Sequence, residues 1–171
     1  MLFRSDVNSD EDITRLGEPK LFWGVSAGLV DSMVANYTAT KKFRKQDDFT
    51  PGIINNRRPD RASIKYVNYI RKNFKDTVPI VLGGIEASLR RVTHYDYWSN
   101  KLRKSLLFDA KADVLVYCMA ERTIVELANA YRDGQSCEEI QGLCYIAKEA
   151  REGYITLPSY EECVKDRKSV V

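Results

Sequence analysis

Between Pro79 and Ser99 the sequence reads PIVLGGIEASLRRVTHYDYWS, which sets a double glycine, Gly83-Gly84, just ahead of Glu86, Ser88, Arg90 and Arg91. His94 follows, with Tyr95, Asp96, Tyr97 and Trp98 around it. Each type has a chemistry. Glycines after a strand permit positive φ or close approach of another backbone. Free N–H groups at a helix start near Ile85 can receive an anion. Glu86 can serve as a base or hold a ribose, and equally well steady the first turn of a helix. Arg90 and Arg91 suit phosphate or carboxylate, or a structural ion pair. A His94–Asp96 couple can move protons, and a lone histidine among aromatics can also be a packing residue. The glycines match neither the dinucleotide fingerprint nor a P-loop with its lysine, and no nucleophile sits in a G-x-S-x-G frame.

Two other segments belong beside this one. The run SAGLVDSM carries Ser26, Gly28, Asp31 and Ser32 after an apolar stretch, and CMAERT places Glu121 at a helix start. In open parallel sheets, ligands bind outside the carboxyl ends of the strands, so all three segments are expected to meet there.

The elements that must position them alternate. KLFWGVSAG, TVPIVLGG and KADVLVYC read as buried strands. SDEDITRLGEP reads as a short helix with Ser9 as cap and Gly17 and Pro19 as stop. RPDRASIKYVNYIRKNFKD predicts the longest helix, with Pro59 and Asp60 in its first turn and Ile64, Val67, Ile70 and Phe74 on one face. SMVANYTATKKF has helical character, and RKQDDFTPGIINN reads as an exposed loop. ERTIVELANAYRDG predicts a helix burying Ile124, Leu127 and Tyr131, stopped by Gly134. CYIAKEAREGYITLP predicts a hairpin around Arg151-Glu152-Gly153. The expected fold is α/β: an open, mainly parallel sheet with helices on both faces and a β-hairpin near the C-terminus. Its core spans about 17–135 and the hairpin about 143–158, within one domain over 1–171. Three core strands are few for a doubly wound sheet, so the domain is expected to lack a strand and helix at its N-terminal side. An uncovered sheet edge would then favour self-association.

With 171 residues, 44% hydrophobic and 30% charged, the composition is that of a globular domain with a real core. No apolar run is long enough to span a membrane and no signal peptide opens the chain, so a cytoplasmic location and no membrane partner are expected. Lys41–Lys75 holds 11 basic against 3 acidic residues, while Glu121–Val171 holds 7 against 10. The basic segment, with Phe43, Tyr66 and Tyr69 interleaved, admits a nucleic-acid-binding module; a solvated helix face and basic loop explain it more simply. A small-anion or nucleotide site at the Gly83–Gly84 turn is a further alternative. Cys118, Cys137, Cys144 and Cys163 are separated by 19, 7 and 19 residues, which fits neither a zinc knuckle nor a cluster triplet. Reduced, mostly buried thiols are expected.

LFWGVSAGLVDSMVANYTATKKFRKQDDFTPG, RRPDRA, PIVLGGIEASLRRVTHYDYWS and ADVLVYCMAERTIVELA, in that order, resemble the N-terminal region of the YgiQ-type radical SAM proteins. The resemblance runs from about Gly17 to at least Pro158. It implies a cobalamin-binding-like, Rossmann-like accessory domain, with Gly83, Gly84 and Glu121 matching that domain's usual pattern. It further implies a longer parent protein, in which a C-x-x-x-C-x-x-C motif holds a [4Fe–4S] cluster and S-adenosylmethionine. The four cysteines here do not form that motif, so no cofactor is expected in this segment, and the segment alone is expected to be non-catalytic. His94 does not lie in a D-x-H-x-x-G frame, so cobalamin is not expected either. Cys118 stands where the pattern has glycine. The implied partner is the radical SAM barrel of the same polypeptide, with the Gly83–Trp98 corner facing it.

Overall fold

A computed structural model describes residues 9–166. Helix α1, Asp10–Thr14, is capped by Ser9, whose hydroxyl accepts from the Asp12 N–H at 3.3 Å. Strand β1 is Trp23–Ser26 and helix α2 is Ser32–Asn36. A long segment without helix or strand leads to α3, Ala62–Asn73. Strand β2 is Ile80–Gly83, and α4, Gly84–Leu89, starts without a break. Strands β3, His94–Asp96, and β4, Lys101–Arg103, form an antiparallel hairpin. Helix α5 is Leu106–Ala110, β5 is Val114–Val116, α6 is Glu121–Arg132, β6 is Leu143–Tyr145 and α7 is Tyr160–Lys165.

The main sheet has four strands in the order β1-β2-β5-β6. β1, β2 and β5 are parallel, with Val25 beside Leu82 and Leu82 beside Leu115. β6 closes the far side antiparallel, pairing Leu115 with Cys144. The fold is therefore α/β with an open, mixed and mainly parallel sheet, as the alternation of elements predicts.

The strands alternate between two cores, because successive side chains leave a strand on opposite faces. Ile80, Leu82 and Leu115 face Val67 and Ile70 of α3 and Leu106, Leu107 and Ala110 of α5. Val81, Val114 and Val116 face Leu127 of α6, with Ile124 and Tyr131 at its margin. Full burial of a Leu or Ile contributes about 1.5–3 kcal/mol, so the strictly buried Ile80, Leu82, Leu115 and Leu127 anchor the two layers. α6 is rich in strong helix formers and stops where Gly134 turns to φ +65. There Gln135 N–H reaches the Ala130 carbonyl at 2.8 Å, and Gly134 N–H reaches that of Tyr131 at 3.4 Å. That is a Schellman stop, where glycine avoids the cost of a left-handed residue.

Several local expectations are corrected. Pro59 and Asp60 lie before α3; its N-cap is Arg61, at φ +52. Asp60 instead accepts from Asn36 Nδ2 at 2.8 Å and Tyr37 Oη at 2.8 Å, so it ties the preceding loop rather than the helix dipole. α2 ends at Asn36, well short of Phe43. Near the C-terminus only the first β-prone run, Leu143–Tyr145, forms a strand, and it pairs with β5. Tyr154–Leu157 forms no strand, and Tyr154, Ile155 and Leu157 are exposed. The chain's antiparallel hairpin is β3–β4. The thiols are also less buried than expected: Cys163 is buried, Cys137 and Cys144 are half-buried, and Cys118 is exposed at a strand-to-helix turn.

Candidate functional site at the carboxyl edge of the sheet

The three segments anticipated from the sequence do meet. At the carboxyl ends of the strands one serine closes the turn after β1 and another joins the loops after β2 and β5. Ser26 Oγ accepts from Gly28 N–H at 3.1 Å. Ser88 Oγ donates to the Gly84 carbonyl at 2.9 Å and accepts from Cys118 N–H at 3.1 Å. The double glycine has a steric cause. A Cβ on Gly83 would come within 3.2 Å of Val116 Cγ2, and one on Gly84, at φ +82, within 2.6 Å of Ser26 Oγ. Cys118 takes φ +59, the left-handed conformation that glycine favours, so the turn into α6 keeps that backbone without the glycine.

Beneath this edge lies a buried polar assembly. Glu86, 2% exposed, accepts from Ser32 N–H at 2.9 Å, from Ser32 Oγ at 2.5 Å and from Ser63 N–H at 3.1 Å. Ser32 Oγ in turn accepts from Ala62 N–H at 3.0 Å. One carboxylate thus joins the starts of α2, α3 and α4. Asp31 caps α2, accepting from Met33 N–H at 2.9 Å and Val34 N–H at 3.2 Å, and pairs with Arg90. Arg91 donates to the Ser88 carbonyl at 2.6 Å and lies over the Tyr117 ring at 5.1 Å.

Asp96 is the second hub. It accepts from Arg61 at 2.6 Å, Arg103 Nε at 3.1 Å and the Ser99 hydroxyl, and Arg103 reaches on to Asp109 at 3.1 Å. Burial would raise the Asp96 carboxyl, but Ser99 and the two guanidinium groups outweigh it and hold it well below the usual carboxylate range. No hydrogen bond joins His94 to Asp96. His94 Nδ1 lies 3.2 Å from the Val92 carbonyl, and Nε2 is buried without a hydrogen-bond partner. Nearby is a cavity of about 10 Å³ lined in part by Arg61, Glu86, Arg90 and Arg103. Burial pushes the His94 imidazole down from its ordinary value; Val92 raises it and Arg90 lowers it. Trp98 packs against Tyr37 at 5.3 Å and Tyr97 at 5.4 Å, and Tyr95 donates to Asn100 at 2.6 Å.

The anticipated residues therefore separate into two sets. Asp31, Glu86, Arg90, Asp96 and His94 belong to a packed corner, where Asp31 pairs with Arg90 and the other two carboxylates take their donors from Ser32, Ser63, Arg61 and Arg103. Ser26, Gly28, Gly83, Gly84, Ser88 and Glu121 shape the outer edge, with Glu121 exposed at the start of α6. Around that edge stand the exposed side chains of Leu29, Ile85, Leu89 and Met119, the last 85% exposed. Sequence reasoning missed Arg61, Ser63 and Arg103, which carry much of the network. It also missed a surface cleft of about 1180 Å³ between α6, β6 and residues 147–156. Two ion pairs line it, Arg122 with Glu126 one turn along α6 at 2.6 Å and Arg151 with Glu139.

Among the described residues no group of three or more His, Cys, Asp or Glu side chains could hold a metal ion, and no helix is long and apolar enough to cross a membrane. The four cysteines do not fit a cluster here.

The fold and edge define an open α/β domain whose strand-end loops form a shaped, partly apolar rim. The family is settled by comparison: residues 1–171 match the model of the radical SAM N-terminal family, and the chain belongs to that family. It is 58% identical over 172 residues to a UPF0313 protein of Fusobacterium nucleatum, covering 100% of this chain and 30% of the relative. UPF0313 proteins of Thermotoga petrophila and Clostridium perfringens are 52% identical over 165 residues and 49% over 175, with 95% and 99% of this chain covered. The chain spans 29% and 26% of those two relatives. No solved structure matches.

Proposed function

We propose that this chain is the accessory N-terminal domain of a radical SAM enzyme, and that its carboxyl-edge rim packs on the catalytic part of the same polypeptide and helps close it over substrate. The observation that carries this reading is the rim itself. Ser88 ties the loops after β2 and β5, and Gly84 packs closely against Ser26 at the end of β1, yet these loops hold Leu29, Ile85, Leu89 and Met119 out toward solvent. Apolar side chains clustered on a rigid frame are characteristic of an interface. The family and the relatives' greater length support the choice of partner.

In this reading the [4Fe–4S] cluster and S-adenosylmethionine belong to the remainder of the protein. Their chemistry is reductive cleavage of S-adenosylmethionine to a 5′-deoxyadenosyl radical. This domain would bind, orient and exclude water. Arg91 is held by the Ser88 carbonyl and the Tyr117 ring, whereas Arg90 is committed to Asp31.

The test is a photo-crosslinking amino acid at Met119 in the full-length protein. Crosslinks should join position 119 to peptides beyond residue 171 of the same chain. Crosslinks only between copies, or none, would overturn the assignment of this face.

A further inference from the structure

Between α2 and α3 the chain runs from Tyr37 to Arg61 without a helix or strand. Segments of that length inside a compact domain are uncommon and usually functional. This one is built as a folded unit. Isolated bridges pair Tyr37 with Phe43 and Gln46 with Ile54. Asp47 N–H bonds to the Ile53 carbonyl at 2.8 Å, Asn55 N–H to that of Lys45 at 3.0 Å, and Asn55 Nδ2 to that of Arg44 at 2.9 Å. At its centre Arg58 meets Asp47 at 3.3 Å, with side chains 2% and 3% exposed.

The polarity of this loop is inverted. Asp47, Thr50, Asn55 and Arg58 are inside, while Phe49, Ile53 and Ile54 at the tip are 51%, 55% and 61% exposed. Ile53 also holds φ +63, an outlier for a β-branched residue. A buried ion pair costs desolvation that apolar packing would avoid. Such a loop gives up stability to hold a defined shape, and strain of this kind gathers at binding surfaces.

Two observations indicate what it meets. Its near end rests on the β3–β4 turn, where Tyr97 Oη donates to the Ala39 carbonyl at 2.8 Å and Lys41 lies 4.6 Å from the Tyr97 ring centre. The last described helix, α7, rests on the same hairpin, with Lys104 at 3.5 Å from Glu161 and 5.2 Å from the Tyr160 ring centre. The start of α7 thus lies beside the element that supports the loop. Relatives continue to more than three times this length, since the chain covers 30% or less of them. Exposed Lys42, Lys45 and Arg57 flank the tip.

We propose that the tip formed by Phe49, Ile53 and Ile54 is a preformed docking knob for the part of the same polypeptide beyond residue 171, received by an apolar pocket with an acidic rim. The proposal rests on the accessory-domain reading above and adds a second, separate contact to it. Nucleic acid suits the surface less well. Of the three tip residues only Phe49 offers a ring for base stacking, and Phe43 is turned edge-on to Tyr37 at 5.6 Å and 74°.

The experiment places the photo-crosslinking residue at Phe49 in the full-length protein, with Met119 as the parallel site. Crosslinks from position 49 to peptides beyond residue 171, lost when Ile54→Glu is added, support the knob. Crosslinks from 119 alone leave the accessory-domain reading standing and overturn the knob. Crosslinks from 49 to nucleic acid or to a second copy overturn it in favour of those partners. Silence at both positions overturns both.

Discussion

Glu86 and Asp96 show how a carboxylate in a glycine-rich corner becomes a structural hub. Each is almost fully buried, and each draws donors from segments far apart in sequence. Ser32 is 54 positions from Glu86, and Arg61 is 35 from Asp96. Because the folded-state pKa of Asp96 is depressed, the native form resists protonation more than the unfolded chain does. Its stabilisation is complete above the unfolded Asp value of about 3.9 and is lost as pH falls toward the folded value. Asp96→Asn should lower unfolding stability near neutral pH by about 1.5–3 kcal/mol, the range for charge-assisted hydrogen bonds. The gap between variant and native protein should narrow below about pH 4. Urea unfolding at stepped pH measures both effects; a gap independent of pH would remove Asp96 from this role.

At the scale of elements, most strands and the two long helices were legible in the sequence, because burial on both faces leaves a continuous apolar run and α6 keeps a clean period. The carboxyl-edge grouping of Gly28, Gly84, Ser88 and Glu121 was legible too, since parallel topology alone brings those turns together. What was not legible was long-range polar pairing. Nothing local marks Arg61 or Arg103 as partners of Asp96, and β3 and β4 are only three residues each, too short for a periodic signal. The second run of the anticipated C-terminal hairpin fails because β6 finds its partner in β5 instead. RKQDDFTPGIINN reads as an exposed loop, yet Asp47, Thr50 and Asn55 within it are buried. Its strain makes a prediction. Ile53→Gly removes the left-handed penalty of roughly 1–2 kcal/mol per residue and adds unfolded-chain entropy of about 0.5–1 kcal/mol. The net is a small gain in stability, and a melting temperature higher by about 2–4 °C would report it. The same variant should lose crosslinking from position 49, so stability and docking would move in opposite directions.

At the scale of the molecule, part of the described apolar surface lies on the features proposed above as interfaces. The rim, the knob and the stretch from Tyr154 to Leu157 all expose large side chains. β1 pairs with β2 on one side only, leaving Trp23–Ser26 as a sheet edge among the described residues. Residues 1–171 produced alone should therefore self-associate, with the oligomer fraction in sedimentation velocity rising with concentration. A monomer throughout the micromolar range would count against these surfaces being interfaces.

The central position of β2 also bears on how the protein is made. Ile80, Val81 and Leu82 need β5 beside them and α6 across the sheet before both faces are closed. From Gly83 to the end of α6 at Arg132 is 132 − 83 = 49 residues. At about 5–20 residues per second, a ribosome takes roughly 2.5–10 s to supply them. For those seconds the nascent chain carries the apolar β2 strand uncovered, which gives chaperones a defined interval in which to hold it.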